Sequence, residues 1–549
     1  MFKSKRLDFW TVVTLIIAAV FALFLIYPLF SLFITGFQDP ETGAFTLENF
    51  SRFFEKKYYY QTLFHSLEVG ACVTALAVIL GSAIAYFMSF FKIRGAGVIE
   101  ILIIITMLSP PFIGAYSWIT LLGRSGFITK LLANIGIHVP SIYGFGGIVL
   151  VMTLKLFPFI YLYVAGALKK VDASLVEASL SLGCSPVRNI YRIILPLVTP
   201  TLLAGALMVF MNAMGDFGTP RLIGEGFAVM PVVIYTEFIG EVGGTANFSA
   251  ALATILVAVT MVFFLLQKYI VSKKSFTMSS MRPIQAKRAR GARGALMHVF
   301  IYLVVLLGLM PQITVIVTSF LPTQGTRFLK GFTLDSYKEI FGDMGAAIAN
   351  TLKFGLTAIA IIVILGIFIS YISVRRRNPV SSFIDMSTMF PYILPGSVLG
   401  ITLLLAFNKR PLLLSGTALI MILSFVIRRL PYTLRSSSAI LYQISPSMEE
   451  ASISLGCSPM KTFFKITAVL MLPGVFSGAI LSWITIINEL SSSLILYTGS
   501  TRTMSVSIYT EVLRGGYGTA AAMSTILTLF TVLSLILSFK LSGQRTVDI

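Results

Sequence analysis

The 549 residues are 56% hydrophobic and only 12% charged, with a mean hydropathy of +0.89. Soluble domains carry about 25% charged residues, so a soluble enzyme or binding module is excluded and an integral membrane protein is expected. The net charge of +20 is gathered between apolar runs, which argues against nucleic acid as a partner. In chain order the runs are 10–37, 61–91, 98–122, 148–168, 199–214 and 248–270, then 296–320, 346–374, 383–407, 412–427, 474–487 and 520–539. A crossing needs roughly 20 apolar residues, so about six spans per half and about twelve in all are predicted. Runs 199–214 and 474–487 are short enough to be partly re-entrant. The first run is too long for a signal peptide and has no small-residue cleavage site after it, so it reads as a retained span.

The charges set an orientation. Lys3, Lys5 and Arg6 precede the first run, and Lys169, Lys170, Arg188 and Arg192 surround the polar break near 180. Lys268, Lys273, Lys274, Arg282, Lys287, Arg288, Arg290 and Arg293 fill a central linker without an acidic residue. The alternate loops carry Asp39, Glu41, Glu48 and Glu55, then Asp216, Glu225, Glu237 and Glu241. Basic residues mark the cytoplasmic side, so both termini, the linker and the basic breaks are expected there. Cys72, Cys184 and Cys457 have neither metal spacing nor the makings of a disulfide framework.

The chain repeats itself. Residues 174–186 read SLVEASLSLGCSP and residues 447–459 read SMEEASISLGCSP, an offset of 273. Upstream, LGSAIAYF at 80–87 faces LGIFISYI at 365–372, an offset of 285, pairing Gly81 with Gly366 and Tyr86 with Tyr371. Glu100 pairs with Asp385, and Pro110 with Pro395, at the same offset; IYTE recurs at 234–237 and 508–511. The shrinking offset places an insertion near 123–141. The expected domains are therefore 1–271 and 295–549, joined by a basic linker at 272–294. An even number of spans in each gives both the same orientation, with a pseudo-two-fold along the membrane normal and a pathway between them. Pro110, Pro111, Pro158, Pro391 and Pro395 break or end spans, either as a pathway lining or as ordinary kinks.

Physically, the repeated segment is a helix, a sharp turn and a second helix start. Ser174 with Glu177, and Ser447 with Glu450, have capping-box spacing. Gly183 and Gly456 supply the left-handed residue that ends a helix. Ser185–Pro186 and Ser458–Pro459 restart one, with serine as cap and proline in the first turn. The segment has no histidine, no paired carboxylates and no nucleophile with a base, so no catalytic residue is expected. The sequence has no GxxxxGK[ST] phosphate loop, so the chain is not expected to hydrolyse ATP itself.

The stretch EASLSLGCSPVRNIYRIILP resembles the EAA loop of ABC importer permeases, through Glu177, Ala178, Ser179, Gly183, Ile193, Leu195 and Pro196. The second copy matches at Glu450, Ala451, Ser452, Gly456 and Ile466, but has Ala468 and Val469 in place of the Leu-Pro ending; Pro473 instead matches Pro200. The exit geometry of the second loop is thus left open. The resemblance implies an all-α polytopic protein of the bacterial inner membrane, with two tandem six-helix type I importer domains surrounded by lipid. It implies that each loop forms a coupling helix docked on one of two copies of a cytosolic ATPase subunit. ATP and Mg would sit on those subunits, and no cofactor on this chain. It also implies an extracytoplasmic binding protein, expected on the acidic face around 37–60, 216–246 and 321–345. Glu177 and Glu450 read as caps, or as caps that also reach a basic residue of the ATPase.

Two further stretches, GDFGTPRLIG at 215–224 and INELSSSLIL at 487–496, resemble fused ferric-iron permeases and relatives that move phosphonates, thiamine or polyamines. Ferric iron or a ferric complex is therefore the expected cargo, with the other three as alternatives. Asp216 aligns with Glu489; each either lines a cation route or anchors the end of its span. Tyr58, Tyr59 and Tyr60 read as an aromatic belt rather than iron ligands. Met208, Met211 and Met214 face Leu481, Ile484 and Ile487 in the repeat, so they read as packing. His65, His138 and His298 are isolated, and no metal site is expected. An ion-coupled secondary transporter also suits twelve spans, but leaves the two cytoplasmic elbows unexplained. A membrane enzyme lacks any convergent acid, base or metal cluster.

Overall fold

The computed structural model describes residues 8–107, 111–138, 140–240, 245–273, 282, 284–289 and 291–542. The protein is an all-α polytopic membrane protein whose strands, among the described residues, are confined to one short hairpin at Thr323–Gln324 and Arg327–Phe328. Nine of the described helices are long and apolar enough to cross a membrane. They are Phe9–Gly36, Lys57–Phe90, Phe145–Leu168, Pro186–Gly215, Ala246–Ile270, Gly291–Thr318, Gly345–Arg375, Pro459–Ile487 and Tyr517–Leu537. A bent pair, Ala96–Met107 with Phe112–Ala133, makes a tenth if it is counted as one span.

The count falls short of twelve for identifiable reasons. In the second half the run 383–407 divides into Pro379–Ser387, Phe390–Ile393 and Gly396–Phe407. Pro391 lies in the first turn of the middle piece and Pro395 caps the last; proline lacks the donor that would carry a helix across. Pro110 lies outside the described residues. The run 412–427 is helical only from Ala418, within the longer helix Ala418–Gln443, which carries Arg428, Arg429 and Arg435 and is therefore less apolar than a simple span. The runs at 199–214 and 474–487 are not re-entrant. Each extends back to the proline that restarts its helix, giving 30 and 29 residues. The expected insertion is present: residues 123–144 hold an extra helix, Phe127–Ala133, where the second half has only 408–417.

The described residues group into two compact units that cut across the tandem halves. One contains the first helix, Phe9–Gly36, with Glu237–Thr254 and the chain from Leu321; the other contains Ser51–Thr236 and Ile255–Phe320. The first helix of each half thus belongs with the body of the other. Within the first unit, Trp10 packs on Tyr371 and Phe463, with ring centroids 4.4 and 4.8 Å away. Within the second, Ser117 Oγ donates to the Pro311 carbonyl of Gly291–Thr318 at 3.0 Å.

Small residues set the helix crossings. A Cβ on Gly81 would meet Ile160 at 2.7 Å, and one on Gly366 would meet Thr433, the residue equivalent to Ile160, at 3.1 Å. Gly474 and Gly478, one turn apart, press against Ile440 and Thr433 of Ala418–Gln443. Lipid offers no hydrophobic drive between spans, so close backbone approach of this kind supplies the packing.

Candidate functional site

Each elbow is built from two short helices, Ala173–Ser181 with Pro186–Asn189 and Ser447–Ser454 with Pro459–Thr462. The capping box does not form in either. Asp172 is the first cap, accepting from the Ser174 amide at 2.9 Å, so Ser174 sits inside the helix. Pro446 occupies the second cap position, with Ser445 Oγ accepting from the Ser447 amide at 3.3 Å. An earlier acceptor or a fixed proline φ starts each helix before its serine. Glu177 and Glu450 are consequently exposed, with no hydrogen-bond partner among the described residues.

The turns are alike. Gly183 and Gly456 have φ of +82° and +89°. The Gly183 amide donates to Leu180 and the Cys184 amide to Ser179; Gly456 and Cys457 donate likewise to Ile453 and Ser452. This is the Schellman arrangement that closes a helix on a left-handed glycine. Ser185 Oγ and Ser458 Oγ then accept from Arg188 and Lys461, each at 3.3 Å, with Pro186 and Pro459 in the first turn. Both exits pass through one π-helical turn, Ile190–Ile194 and Phe463–Thr467, into the following span. The second exit therefore keeps the first one's geometry although Ala468 and Val469 replace Leu195 and Pro196. Ser452 Oγ bonds Thr462 Oγ1 at 2.9 Å, and Asn189 donates to the Val176 carbonyl at 3.2 Å, holding the two helices of each elbow together.

What sequence reasoning missed is the apolar surface these turns present. Leu182 is 88% exposed and its equivalent Leu455 86%. Four more exposed pairs recur at the same offset of 273: Leu175 with Met448, Leu180 with Ile453, Val187 with Met460, and Tyr191 with Phe464. The signal was available as apolar residues at matched positions in a polar break. Ala178 and Ala451 are exposed beside them. Exposed apolar side chains gathered in this way mark a contact with protein or membrane.

The supports behind the elbows differ. Glu449 accepts from Arg375 Nε at 3.2 Å and from Tyr371 Oη at 3.1 Å, and Arg375 also donates to the Leu441 and Ile444 carbonyls. The first half has Val176 and Phe90 at these places. There the linker takes over: the Ala173 amide donates to the Arg282 carbonyl at 2.9 Å, and Lys287 pairs with the backbone of Phe90 and Lys92 at 2.9 Å.

A second pair of sites lies deep in the helices. Lys155 Nζ meets Asp216 Oδ2 at 3.1 Å. Their equivalents at offset 273, Arg428 and Glu489, also pair, and Arg429 joins the same carboxylate. Both acids are buried. Each also accepts from a backbone amide three residues on, Thr219 and Ser492. Gly396 leaves room for Arg428, whose guanidinium fills the space a Cβ would take. Both acids are thus paired with bases that sequence reading had not singled out. Lys155 and Arg428 each stand three residues before a proline inside the helix, Pro158 and Pro431. Among the described residues no cluster of His, Cys, Asp and Glu forms a metal cage.

The sequence matches the binding-protein-dependent transport system inner membrane component twice, over residues 77–276 and 362–546. The chain belongs to this family. It is a fused permease, with two copies of the family domain in one multi-pass inner-membrane chain. It is 30% identical over 94% of its length, and 76% of the relative's, to the ferric transport system permease protein FbpB of Actinobacillus pleuropneumoniae. It is 29% identical to a putative ferric transport system permease protein, FbpB 1, of Haemophilus influenzae, over 87% of this chain and 76% of that one. Over 33% of the chain, and 66% of the relative, it is 27% identical to the spermidine/putrescine permease PotB of Escherichia coli.

Proposed function

We propose that this permease carries ferric iron, or a ferric complex, into the cytoplasm as part of an ATP-driven importer. An extracytoplasmic binding protein delivers the cargo. Two copies of a cytosolic ABC ATPase, holding ATP and Mg, each take one elbow, and both chain termini lie on that side. The observation that carries this reading is the pair of matching elbows, each with an exposed leucine on a rigid Schellman turn. Leu182 and Leu455 insert into a cleft of the ATPase, and Glu177 and Glu450 meet basic residues at its rim. Closure of the ATPase pair then moves both elbows together and rocks the spans between inward- and outward-open states. The similarity to two ferric permeases over most of the chain supports iron as cargo.

In this reading Asp216 and Glu489 stand beside the pathway. Their ion pairs with Lys155 and with Arg428 and Arg429 hold the middle of Phe145–Leu168 and of Ala418–Gln443 against the turns that follow Leu195–Gly215 and Ala468–Ile487. A ferric cation would reach these carboxylates only by displacing the bases. Similarity to a polyamine permease supports a second reading, in which the cargo is a polyamine. The test is uptake by proteoliposomes holding permease, ATPase and binding protein. Iron entry that requires ATP and all three components supports the proposal; polyamine entry without iron entry supports the second. Solute movement by the permease alone, without ATP, contradicts both.

A further inference from the structure

The chain carries another repeat, at the opposite end of the spans from the elbows. Residues 45–54 read FTLENFSRFF and residues 332–341 read FTLDSYKEIF, an offset of 287. In both, the threonine hydroxyl accepts from the backbone amide two residues on, Thr46 from Glu48 at 3.1 Å and Thr333 from Asp335 at 3.2 Å. A short helix follows, Glu48–Glu55 and Asp335–Asp343. One face of each is buried, through Asn49 and Phe53 in the first and Ser336 and Ile340 in the second. Thr519 Oγ1 pins the second to Tyr517–Ser542 by donating to Glu339 at 2.8 Å.

Beside that buried face runs an exposed apolar stripe, and it too is repeated. Phe45 is 77% exposed and Phe332 74%; Phe54 is 67% exposed and Phe341 68%. Leu47 and Leu334 are exposed as well. Leu47 and Phe54, like Leu334 and Phe341, stand seven residues apart on one side of the helix, with the half-buried Phe50 and Tyr337 between them. Charged residues accompany them: Glu48, Arg52 and Glu55 in one, Asp335, Lys338, Glu339 and Asp343 in the other. A single residue separates each helix from the span that follows, Lys57–Phe90 and Gly345–Arg375. That continuity sets the stripe at the end of a candidate span, and at a boundary between water and hydrocarbon large aromatic and aliphatic side chains gain most.

We infer that the two helices are interfacial anchors, whose phenylalanine and leucine stripes dip into the outer boundary of the bilayer while their charged positions stay in water. They hold the outer ends of the following spans at fixed depth. The partner of the stripe is thus phospholipid, which leaves the charged positions for a soluble protein.

The test uses the full-length permease in phosphatidylethanolamine–phosphatidylglycerol nanodiscs, with Cys72, Cys184 and Cys457 replaced by serine. A nitroxide label is placed singly at Leu47, Phe54, Leu334, Phe341 and, as a polar reference in the same fold, Lys338. Labels on the stripe should collide with dissolved oxygen several-fold more than with a water-soluble nickel chelate, and the label at 338 should show the reverse. If labels on the stripe follow the nickel chelate as the label at 338 does, the inference is wrong. If they do so and lose that access only when a binding protein is added, the stripe is a protein-docking face instead.

Discussion

Lys155 and Asp216 form in the first half the ion pair that Arg428 and Glu489 form in the second, at equivalent positions of the repeat. Breaking one partner of a buried pair leaves a bare charge and costs about 3–5 kcal/mol, whereas removing both is far milder. Lys155→Met should therefore lower the thermal unfolding midpoint of the detergent-solubilised permease sharply. Lys155→Met with Asp216→Asn should recover most of the loss. Size-exclusion after heating reads both, and equal loss in single and double variants would show that the pair itself matters little.

Gly183 and Gly456 occupy left-handed backbone with nothing within 4 Å of an added Cβ. Alanine there pays no steric contact, only the conformational cost of about 1–2 kcal/mol. Gly183→Ala should loosen its elbow, and Gly183→Asn should do so less, since asparagine enters this region more readily. Hydrogen exchange across residues 174–188 is the measurement.

The latch at Glu449 predicts unequal elbows. Hydrogen bonds to charged groups contribute roughly 1.5–3 kcal/mol. Glu449→Ala should speed exchange in residues 447–459 and leave 174–186 unchanged, because Val176 stands at the equivalent place. Matching changes in both elbows would remove the distinction.

Burial pushes the Glu511 carboxyl above its ordinary value, nearby Glu339 adds to this, and Arg514 and Arg502 oppose it. The folded state thus holds this proton more tightly than the unfolded chain. Its contribution favours folding at low pH and is lost as pH rises from the ordinary value of 4.5 through the raised one. Glu511→Gln should flatten that part of the stability profile, measured by thermal unfolding between pH 4 and pH 7. A slope unchanged by the substitution would assign it to other groups.

Much of this was legible in sequence because membrane spans and glycine turns are local. The apolar runs led to nine or ten of the twelve expected spans, and the repeat located both elbows together with their glycines and restarting prolines. The misses were tertiary or competitive. Ser174 and Ser447 have capping spacing, but Asp172 and Pro446 claim the helix starts. Asp216 and Glu489 looked like solitary acids until folding brought Lys155, Arg428 and Arg429 to them from about 60 residues away. The exchange of first helices left no local trace, since nothing in the spacing around Trp10 points to Tyr371. The exposed Leu182 and Leu455 read as ordinary apolar residues until the turns displayed them.

The most direct test of the proposed coupling role of the elbows is co-purification of tagged permease with an ABC ATPase, comparing the native chain with Leu182→Glu, Leu455→Glu and the double variant. The account predicts two ATPase copies on the native chain, one on each single variant and none on the double, with the permease itself still folded. Two copies retained on a folded double variant would contradict it.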